Sequence, residues 1–228
     1  MSTIAIKIDL RHLFGPVRDQ GQRPTCLAFA ASDLHAALRG PWEPLSCEYI
    51  FFHAQRRANR KPVEGTVLPA MLAAVREDGQ PHEAGWPYLP KLPADLTQWQ
   101  PPTNVSPLFR RAGEAGADTV DAIVAELEQG RPVMTLLRLS SSFYSVGSNG
   151  VIDQAPGETL DHHRRHAVIA VGHGEIGAQR AVLIRNSWGE GWGANGYGWL
   201  TENFMLPRVY RLATLKEDLS VSSSSAAA

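Results

Sequence analysis

The chain has 228 residues, with 22 lysine and arginine residues against 23 aspartate and glutamate residues, and a formal net charge of −1. This balance gives no electrostatic footprint for nucleic acid or an anionic membrane surface, and no apolar run approaches the roughly 20 residues of a membrane span. The length allows one large domain or two small lobes, and an apolar content of 43% is typical of globular proteins.

The N-terminal segment and the cysteine count bear on the cellular compartment. The segment MSTIAIKIDLRHLFGPVRDQG lacks the long apolar core and the small-residue cleavage site of a secretory signal. Two cysteines, Cys26 and Cys47, allow at most one disulfide bond. Because secreted enzymes of this size often carry more disulfides, we expect a reducing, cytoplasmic location. Export without a cleavable signal is the alternative.

Three helices are predicted in the first half of the chain. The first is CLAFAASDLHAALRG, preceded by Pro24, a helix-start proline, and by Thr25, a candidate N-cap. The second is LSCEYIFFHAQRRA, with Ser46 as its candidate N-cap. The third is LPAMLAAVREDG, with Pro69 near its first turn and Gly79 at its end.

A proline-rich connection and a second half of different character follow. Seven of the 16 prolines lie between Pro81 and Pro107, which excludes long helices and central strands there. A fourth helix, DTVDAIVAELEQG, ends at Gly130, and the later apolar runs PVMTLLRL, GVI, HAVIAVGHG, RAVLIRNSW and GYGWL are typical of strands. The second half is therefore predicted to be mostly antiparallel β-sheet, and the low-complexity tail at 220–228 is predicted to be disordered.

Four side chains form a candidate catalytic set. Cys26 opens the first helix six positions after Gln20, while His166 begins an apolar strand and Asn186 ends the next one. A thiol, a base and an amide that orients the base are the groups that nucleophilic catalysis requires. Taken alone, Cys26 would be a small buried side chain, as we expect for Cys47. The other three residues favour the nucleophile.

The segments that carry these residues resemble the papain-like cysteine peptidases (papain family, C1-type) over about residues 9–204. QGQRPTCLAFA is similar to the family's segment around the nucleophile, and EGTVLPAML, WPY, HAVIAVGHG and NSWGEGWGANGY occur in the family's order. The resemblance implies an α+β fold with two lobes in a peptidase domain at 1–219. A helical lobe at roughly 10–110 and an antiparallel, β-barrel-like lobe at roughly 111–215 would enclose the active-site cleft.

The resemblance also assigns roles. It implies Cys26 as the nucleophile, His166 as the general base and acid, Asn186 as the group that orients the imidazole, and Gln20 as the donor to the oxyanion. The free N–H groups of the helix start and an imidazolium would stabilise a thiolate. Trp188 would shield the bond between histidine and asparagine from water.

Substrate-binding residues are implied less specifically. Gly65 and Thr66 resemble the family's backbone strip that pairs with an extended substrate, although a simple turn before a helix is the alternative. Arg165 precedes the base at a position that often carries Asp or Asn in the family. Either Arg165 biases the cleft towards substrates with acidic or polar side chains, or it is an ordinary exposed arginine without a role in binding. Trp188 completes this set.

Three positions depart from the family's pattern. Arg23 stands where the family often has a disulfide cysteine, Pro24 replaces a glycine, and Leu27 replaces an aromatic residue. None of the changes removes a catalytic group, so we expect effects on rate and specificity. The histidine-rich stretch DHHRRH, with His162 and His163, is interpreted as a solvated loop. We predict neither a metal site nor a cofactor.

The predicted function is a cysteine endopeptidase that hydrolyses a peptide or protein through a thioester on Cys26. Alternatives are a peptide ligase or acyltransferase that uses the same intermediate, and a catalytically silent peptide-binding module; a protein inhibitor is a further candidate partner. Eight residues precede Asp9, which resembles the start of the mature enzymes. Their alternation, with Ile4, Ile6 and Ile8 on one side, predicts an added strand, and we expect activity without a cleavage step. The natural substrate is not identified by the sequence.

Overall fold

The computed structural model of the chain describes residues 3–146 and 150–220, so the predicted tail, apart from Ser220, lies outside the described residues. The helices are α1 (Cys26–Arg39), α2 (Cys47–Ala58), α3 (Leu68–Ala73), α4 (Val120–Glu128), α5 (Ser141–Tyr144) and α6 (Glu202–Met205). The strands are β1 (Ile4–Asp9), β2 (Arg111–Gly116), β3 (Val133–Leu139), β4 (Val151–Ile152), β5 (Asp161–Ile176), β6 (Gln179–Arg185), β7 (Tyr197–Thr201) and β8 (Val209–Asp218). None of the helices in these described ranges combines the length and apolar character that a membrane span requires.

The four predicted helices are present, with one correction to their capping. Ser46 caps α2, since its hydroxyl accepts a hydrogen bond from the Tyr49 N–H at 3.0 Å. Thr25 occupies the N-cap position of α1, but its side chain makes no capping bond and instead lies 3.0 Å from the Tyr88 hydroxyl. The prediction of Thr25 as a capping side chain is therefore wrong, and the first N–H groups of α1 remain open for other acceptors.

The strands form one sheet in the order β2-β8-β3-β5-β6-β7-β4, and β1 pairs with the C-terminal part of β5. Its ladders are antiparallel except for the parallel pair β4–β7. The strand expected from the N-terminal alternation is confirmed as β1, which runs antiparallel to β5 with Ile4 opposite Ile176. The fold is thus α+β, with a largely antiparallel sheet.

Two parts of the sheet differ from the sequence prediction. β2 and β8 were not predicted, and β2 has the sequence RAGEAG, which lacks the β-branched and aromatic residues typical of strands. His162 and His163 lie within β5 instead of a loop, although both are exposed. The strand is hard to recognise from the sequence at these two positions. The β3–β5 register shifts here, which leaves residues 162–164 without partners on β3.

Helices cover both faces of the sheet, and this explains the unbroken apolar run of β5. Ala167, Ile169 and Val171 pack into a core with α1, α2 and α3. Val168 and Ala170, which point the other way, pack into a second core with α4. Three tryptophans, Trp86, Trp99 and Trp199, are buried in the first of these cores, and Trp42 is half-buried against it.

Candidate active site

Cys26 and His166 line one cleft of about 840 Å³ between the helices of the first half and the sheet. Cys26 comes from the start of α1, and His166 comes from β5, where the strand crosses that helix start. Seven of the eight predicted site residues line this cleft: Gln20, Cys26, Gly65, Thr66, Arg165, His166 and Trp188. Asn186 is buried behind His166, in contact with its far ring nitrogen.

The contacts of Asn186 fix the tautomer of His166. Asn186 Oδ1 lies 2.8 Å from the Ser187 N–H, which can only donate, so the oxygen assignment is secure. The same Oδ1 lies 2.6 Å from His166 Nε2, which must therefore carry a proton. In a neutral imidazole the other nitrogen, Nδ1, is then unprotonated and can act as a base on the cleft side.

An aromatic cluster covers the hydrogen bond between His166 and Asn186. The ring centroids of Trp188 and His166 are 4.6 Å apart, and Tyr144 stacks on Trp188 at 5.5 Å. Phe143 is fully buried, and its ring lies 5.7 Å from His166 and 5.4 Å from Trp188. The rings exclude water from one side of the imidazole, as predicted for Trp188 alone.

Gln20 is buried between the two halves of the site. Its Nε2 donates to the Arg23 carbonyl at 2.8 Å, and its Oε1 accepts from the Ser187 hydroxyl at 2.8 Å. A carbonyl oxygen can only accept, so the amide nitrogen must face Arg23, and its second hydrogen is left for another acceptor. The Gln20 N–H also donates to the Ser187 carbonyl at 2.9 Å. The residue after Asn186 therefore holds Gln20 from both its side chain and its backbone.

Burial opposes charge on both reacting groups. It raises the pKa of the Cys26 thiol, against which the N–H groups of Ala167, Leu27 and Cys26 itself act. It lowers the pKa of His166 to about 4, and the Asn186 hydrogen bond opposes this shift by favouring the protonated ring. A thiolate–imidazolium pair would have to overcome this desolvation through the mutual attraction of the two charges and through the N–H groups.

A model of the papain family cysteine proteases matches residues 4–211 of the chain. The chain belongs to the papain family. It is 26% identical to a cysteine protease of Blomia tropicalis over 197 residues, which cover 81% of the chain and 56% of that protein. It is 28% identical to mouse cathepsin J over 203 residues, which cover 80% of the chain and 55% of that protein. The chain thus spans about half the length of these relatives.

Solved structures agree on the fold. The cysteine protease xylellain from Xylella fastidiosa superposes with a TM-score of 0.71 at 22% identity and covers 94% of this chain and 87% of its own. The Carica candamarcensis protease CMS1MS2, solved in complex with E-64, gives a TM-score of 0.71 at 21% identity and covers 92% of this chain and 97% of its own. The papain-like α+β architecture predicted from the motifs is confirmed.

The remaining predicted residues of this papain-family cleft are placed as follows. The Gly65 carbonyl accepts from Arg60 Nη1 at 2.6 Å, and Thr66 Oγ1 is buried without a partner in the described part of the chain. Arg165 is exposed, and its guanidinium lies 5.4 Å from the centroid of the Tyr210 ring. Within residues 3–146 and 150–220, no three His, Cys, Asp or Glu side chains are arranged to hold a metal ion.

Arg23, the residue in the family's cysteine position, forms a buried ion pair. Its Nη1 and Nη2 donate to the two carboxylate oxygens of Glu48 at 2.6 and 2.9 Å. Glu48 is 0% exposed and also accepts from the Trp99 indole and from the Leu89 N–H. The bidentate pair connects the loop before α1 to α2. Both cysteines are free thiols, and Cys47 is fully buried, as predicted.

Sequence reasoning missed several residues that shape the site. Phe143 lies in the short helix α5, and Tyr210 lies in the unpredicted strand β8. Ser187 follows the motif asparagine but was assigned no role. No hydrophobic periodicity or sequence motif identifies Phe143 or Tyr210, because the position of each side chain depends on how distant segments pack. Ser187 could have been found, because it adjoins Asn186 and carries a hydroxyl.

Proposed function

We propose that the protein is a cysteine peptidase that hydrolyses peptide bonds through a thioester on Cys26. The observation that carries this proposal is the 2.6 Å bond between His166 Nε2 and Asn186 Oδ1. It leaves His166 Nδ1 unprotonated in the neutral ring, which supports a role in proton transfer in the cleft that Cys26 also lines. Membership of the papain family supports the same reaction.

The acylation step uses each of the four predicted catalytic residues. His166 Nδ1 takes the thiol proton, and Cys26 Sγ attacks the carbonyl carbon of the scissile bond. Charge develops on the carbonyl oxygen, to which the free Gln20 N–H and the Cys26 backbone N–H donate. The tetrahedral intermediate collapses when His166 Nδ1 returns its proton to the leaving amine, so that the C–N bond breaks and the thioester remains.

Deacylation repeats the same proton transfers with water. His166 Nδ1 takes a proton from a water molecule, whose oxygen attacks the thioester carbonyl. The C–S bond then breaks, the carboxylic acid leaves, and the proton on His166 returns to Cys26 Sγ. Asn186 exchanges no proton in either step, because it only holds the imidazole in place.

An extended peptide is the substrate that this cleft would bind. The proposed contacts are the backbone of Gly65 and Thr66 on the helical side and Arg165 and Trp188 on the sheet side. Gly65 and Thr66 are half-buried and line the cleft, which supports the first contact. The free thiols, together with an ion pair at Arg23 in place of a disulfide cysteine, support action in a reducing compartment.

The proposal is tested by labelling with an epoxysuccinyl peptide followed by mass spectrometry, alongside turnover of a fluorogenic peptide library. We expect modification of Cys26, which lines the cleft, and not of Cys47, which is fully buried and whose pKa burial raises well above its ordinary value. Cys47→Ala should label like the wild type, and Cys26→Ala should neither label nor turn over substrate. Equal labelling of both cysteines would contradict the proposal and favour a peptide-binding module.

A further inference from the structure

Apart from the catalytic pair and two tyrosines, the ionisable side chains that line the cleft are basic or can become so. They are Arg60, His163, Arg164 and Arg165, and among the described lining residues there is neither an aspartate nor a glutamate. The whole chain carries 22 basic against 23 acidic residues, so the cleft departs from the average surface. Arg164 is neutralised by Asp161, whose Oδ2 lies 3.1 Å from Arg164 Nε. Arg165 has no such carboxylate among the described residues.

Arg165 also faces a second arginine across the sheet. In the β3–β5 ladder Arg138 is its direct register partner. Like charges directly opposite one another in an antiparallel pair destabilise the sheet. Neither arginine forms an ion pair with any residue in 3–146 or 150–220. An anion bound beside these two uncompensated charges would relieve their mutual repulsion.

Tyr210 contacts both guanidinium groups. The β3–β8 register shifts so that Leu136 pairs with Arg211 and Leu137 with Val209, which leaves Tyr210 as the bulged residue. Its ring centroid lies 5.2 Å from the Arg138 guanidinium and 5.4 Å from that of Arg165. Burial raises the pKa of Tyr210, so the hydroxyl stays protonated and available as a donor. Tyr210 and Cys26 line the same cleft.

From these contacts, and resting on the proposed peptidase function, we infer that Arg165, Arg138 and Tyr210 bind a carboxylate of the substrate. The substrate class is a peptide with an aspartate or glutamate near the scissile bond. Since a strand advances about 3.3 Å per residue, a site beside Cys26 and His166 is reached within roughly two residues of that bond. Arg165 supplies the exposed charge, Arg138 supports it from the neighbouring strand, and Tyr210 donates a hydrogen bond.

The test compares fluorogenic hexapeptides in pairs that differ only by Glu or Gln at one position. At the preferred position the Glu peptide should have a kcat/KM roughly 5- to 10-fold higher at low salt, the scale of one or two partly exposed ion pairs. The difference should lie in KM, because the carboxylate is bound before and during the reaction, and it should shrink at high salt.

Variants separate this site from a general effect of charge. Arg165→Gln should remove the preference, so that the Glu and Gln peptides of a pair have the same kcat/KM, and Arg165→Glu should reverse it in favour of Lys peptides. Arg211→Gln is the matched control, because Arg211 adjoins Tyr210 on β8 but is exposed and paired with Asp118 at 2.6 Å. It should keep the full preference.

Binding to the Cys26→Ala protein, measured by peptide fluorescence anisotropy, makes the outcome independent of catalysis. Tighter binding of Glu than of Gln peptides, lost in the Cys26→Ala, Arg165→Gln double variant, supports the carboxylate site even if no peptide is cleaved. Cleavage of Glu and Gln peptides at equal rates overturns this inference and leaves the peptidase proposal intact. A preference that survives in Arg165→Gln overturns it as well.

Discussion

The two sides of the cleft hold their catalytic groups by different forces. On the helical side, Gln20 and Cys26 are separated by a loop whose Arg23 forms a buried bidentate ion pair with Glu48. On the sheet side, His166 and Asn186 are set by neighbouring strands and by ring contacts with Trp188 and with fully buried Phe143.

The difference predicts how each side fails. Removing one partner of a buried ion pair leaves the other charge without compensation, so a single substitution causes a large loss of folding stability. Truncating an aromatic ring loses buried area and contacts in proportion to what is removed, while the backbone ladder remains. Polar contacts also join the two sides, among them the bonds between Ser187 and Gln20. Arg185, the residue before Asn186, donates from Nε to Asp33 of α1 at 3.0 Å.

The largest effect is expected where the sides must act together. His166→Ala should lower kcat by roughly 10⁴-fold or more, since no other group can exchange protons with the thiol and the leaving amine. Asn186→Ala should leave measurable activity, because Asn186 only orients the ring. Stopped-flow turnover with active-site titration measures both. Equal losses in the two variants would show that orientation matters as much as proton transfer, which would contradict the separate roles of His166 and Asn186.

The helical side is broken most directly by Glu48→Gln. Arg23 then keeps a buried charge, and the free energy of unfolding should fall by about 3–5 kcal/mol in urea denaturation. Glu77→Gln is the control, since it removes an exposed ion pair with Arg57 and should cost about 0–1 kcal/mol. A double change of Arg23→Met with Glu48→Leu should recover much of the loss. Equal, small losses for both single variants would remove the distinction between the two sides.

Substitutions of Gln20 test whether the loop that Arg23 holds in place contributes to catalysis. Gln20→Ala should lower kcat by roughly 10- to 1,000-fold with little change in KM, as expected for one oxyanion donor. Gln20→Glu keeps the shape but places a carboxylate beside the developing oxyanion, so its loss should be larger. Activity close to that of the wild type in either variant would exclude Gln20 from the reaction.

Phe143→Leu applies the matching change to the sheet side. The free energy of unfolding should fall by about 1–2 kcal/mol, because part of a buried ring is lost while β5 and β6 remain paired. The kcat should fall less than in Gln20→Ala, since the bond from Asn186 still orients His166. A drop in stability as large as that of Glu48→Gln would contradict the graded response expected of this side.

The residues that meet in the cleft could be located from the sequence because their signals are local. Helix starts and motif order located Cys26, His166 and Asn186, and the structure brings them together. The supports of the site were not predictable in the same way. The partner of Arg23 lies 25 positions away on another helix, and Tyr210 enters the cleft through a bulge set by the β3–β8 register. Such pairings depend on tertiary packing, for which residue type and spacing give no signal.

The pH below which activity is lost should depend on His166, on the sheet side of the cleft. The helical side also has a buried histidine, His35, which should not affect this pH. Burial lowers the pKa of His166, and that of His35 on α1, to about 4. His166 must be unprotonated to take the thiol proton, so the labelling rate of Cys26 should fall as the pH drops through about 4. Asn186→Ala should move this limit lower, because the lost hydrogen bond favours the protonated ring.

Stability, in contrast, should respond to both histidines. Unfolding restores each pKa towards the ordinary 6.5, so the unfolded chain binds more protons between pH 4 and 6.5. The stabilising contribution of the neutral rings is therefore full above pH 6.5 and is lost as the pH falls towards 4.

The His35→Gln variant removes one of these two titrations. The Tm of this variant should therefore fall less steeply over this pH range than the Tm of the wild type. Its labelling limit should stay where it is in the wild type, since His35 contacts Gln80 at 2.9 Å and not the cleft. If His35→Gln shifted the labelling limit instead, the acid loss of activity would report unfolding of the helical side and not protonation of His166.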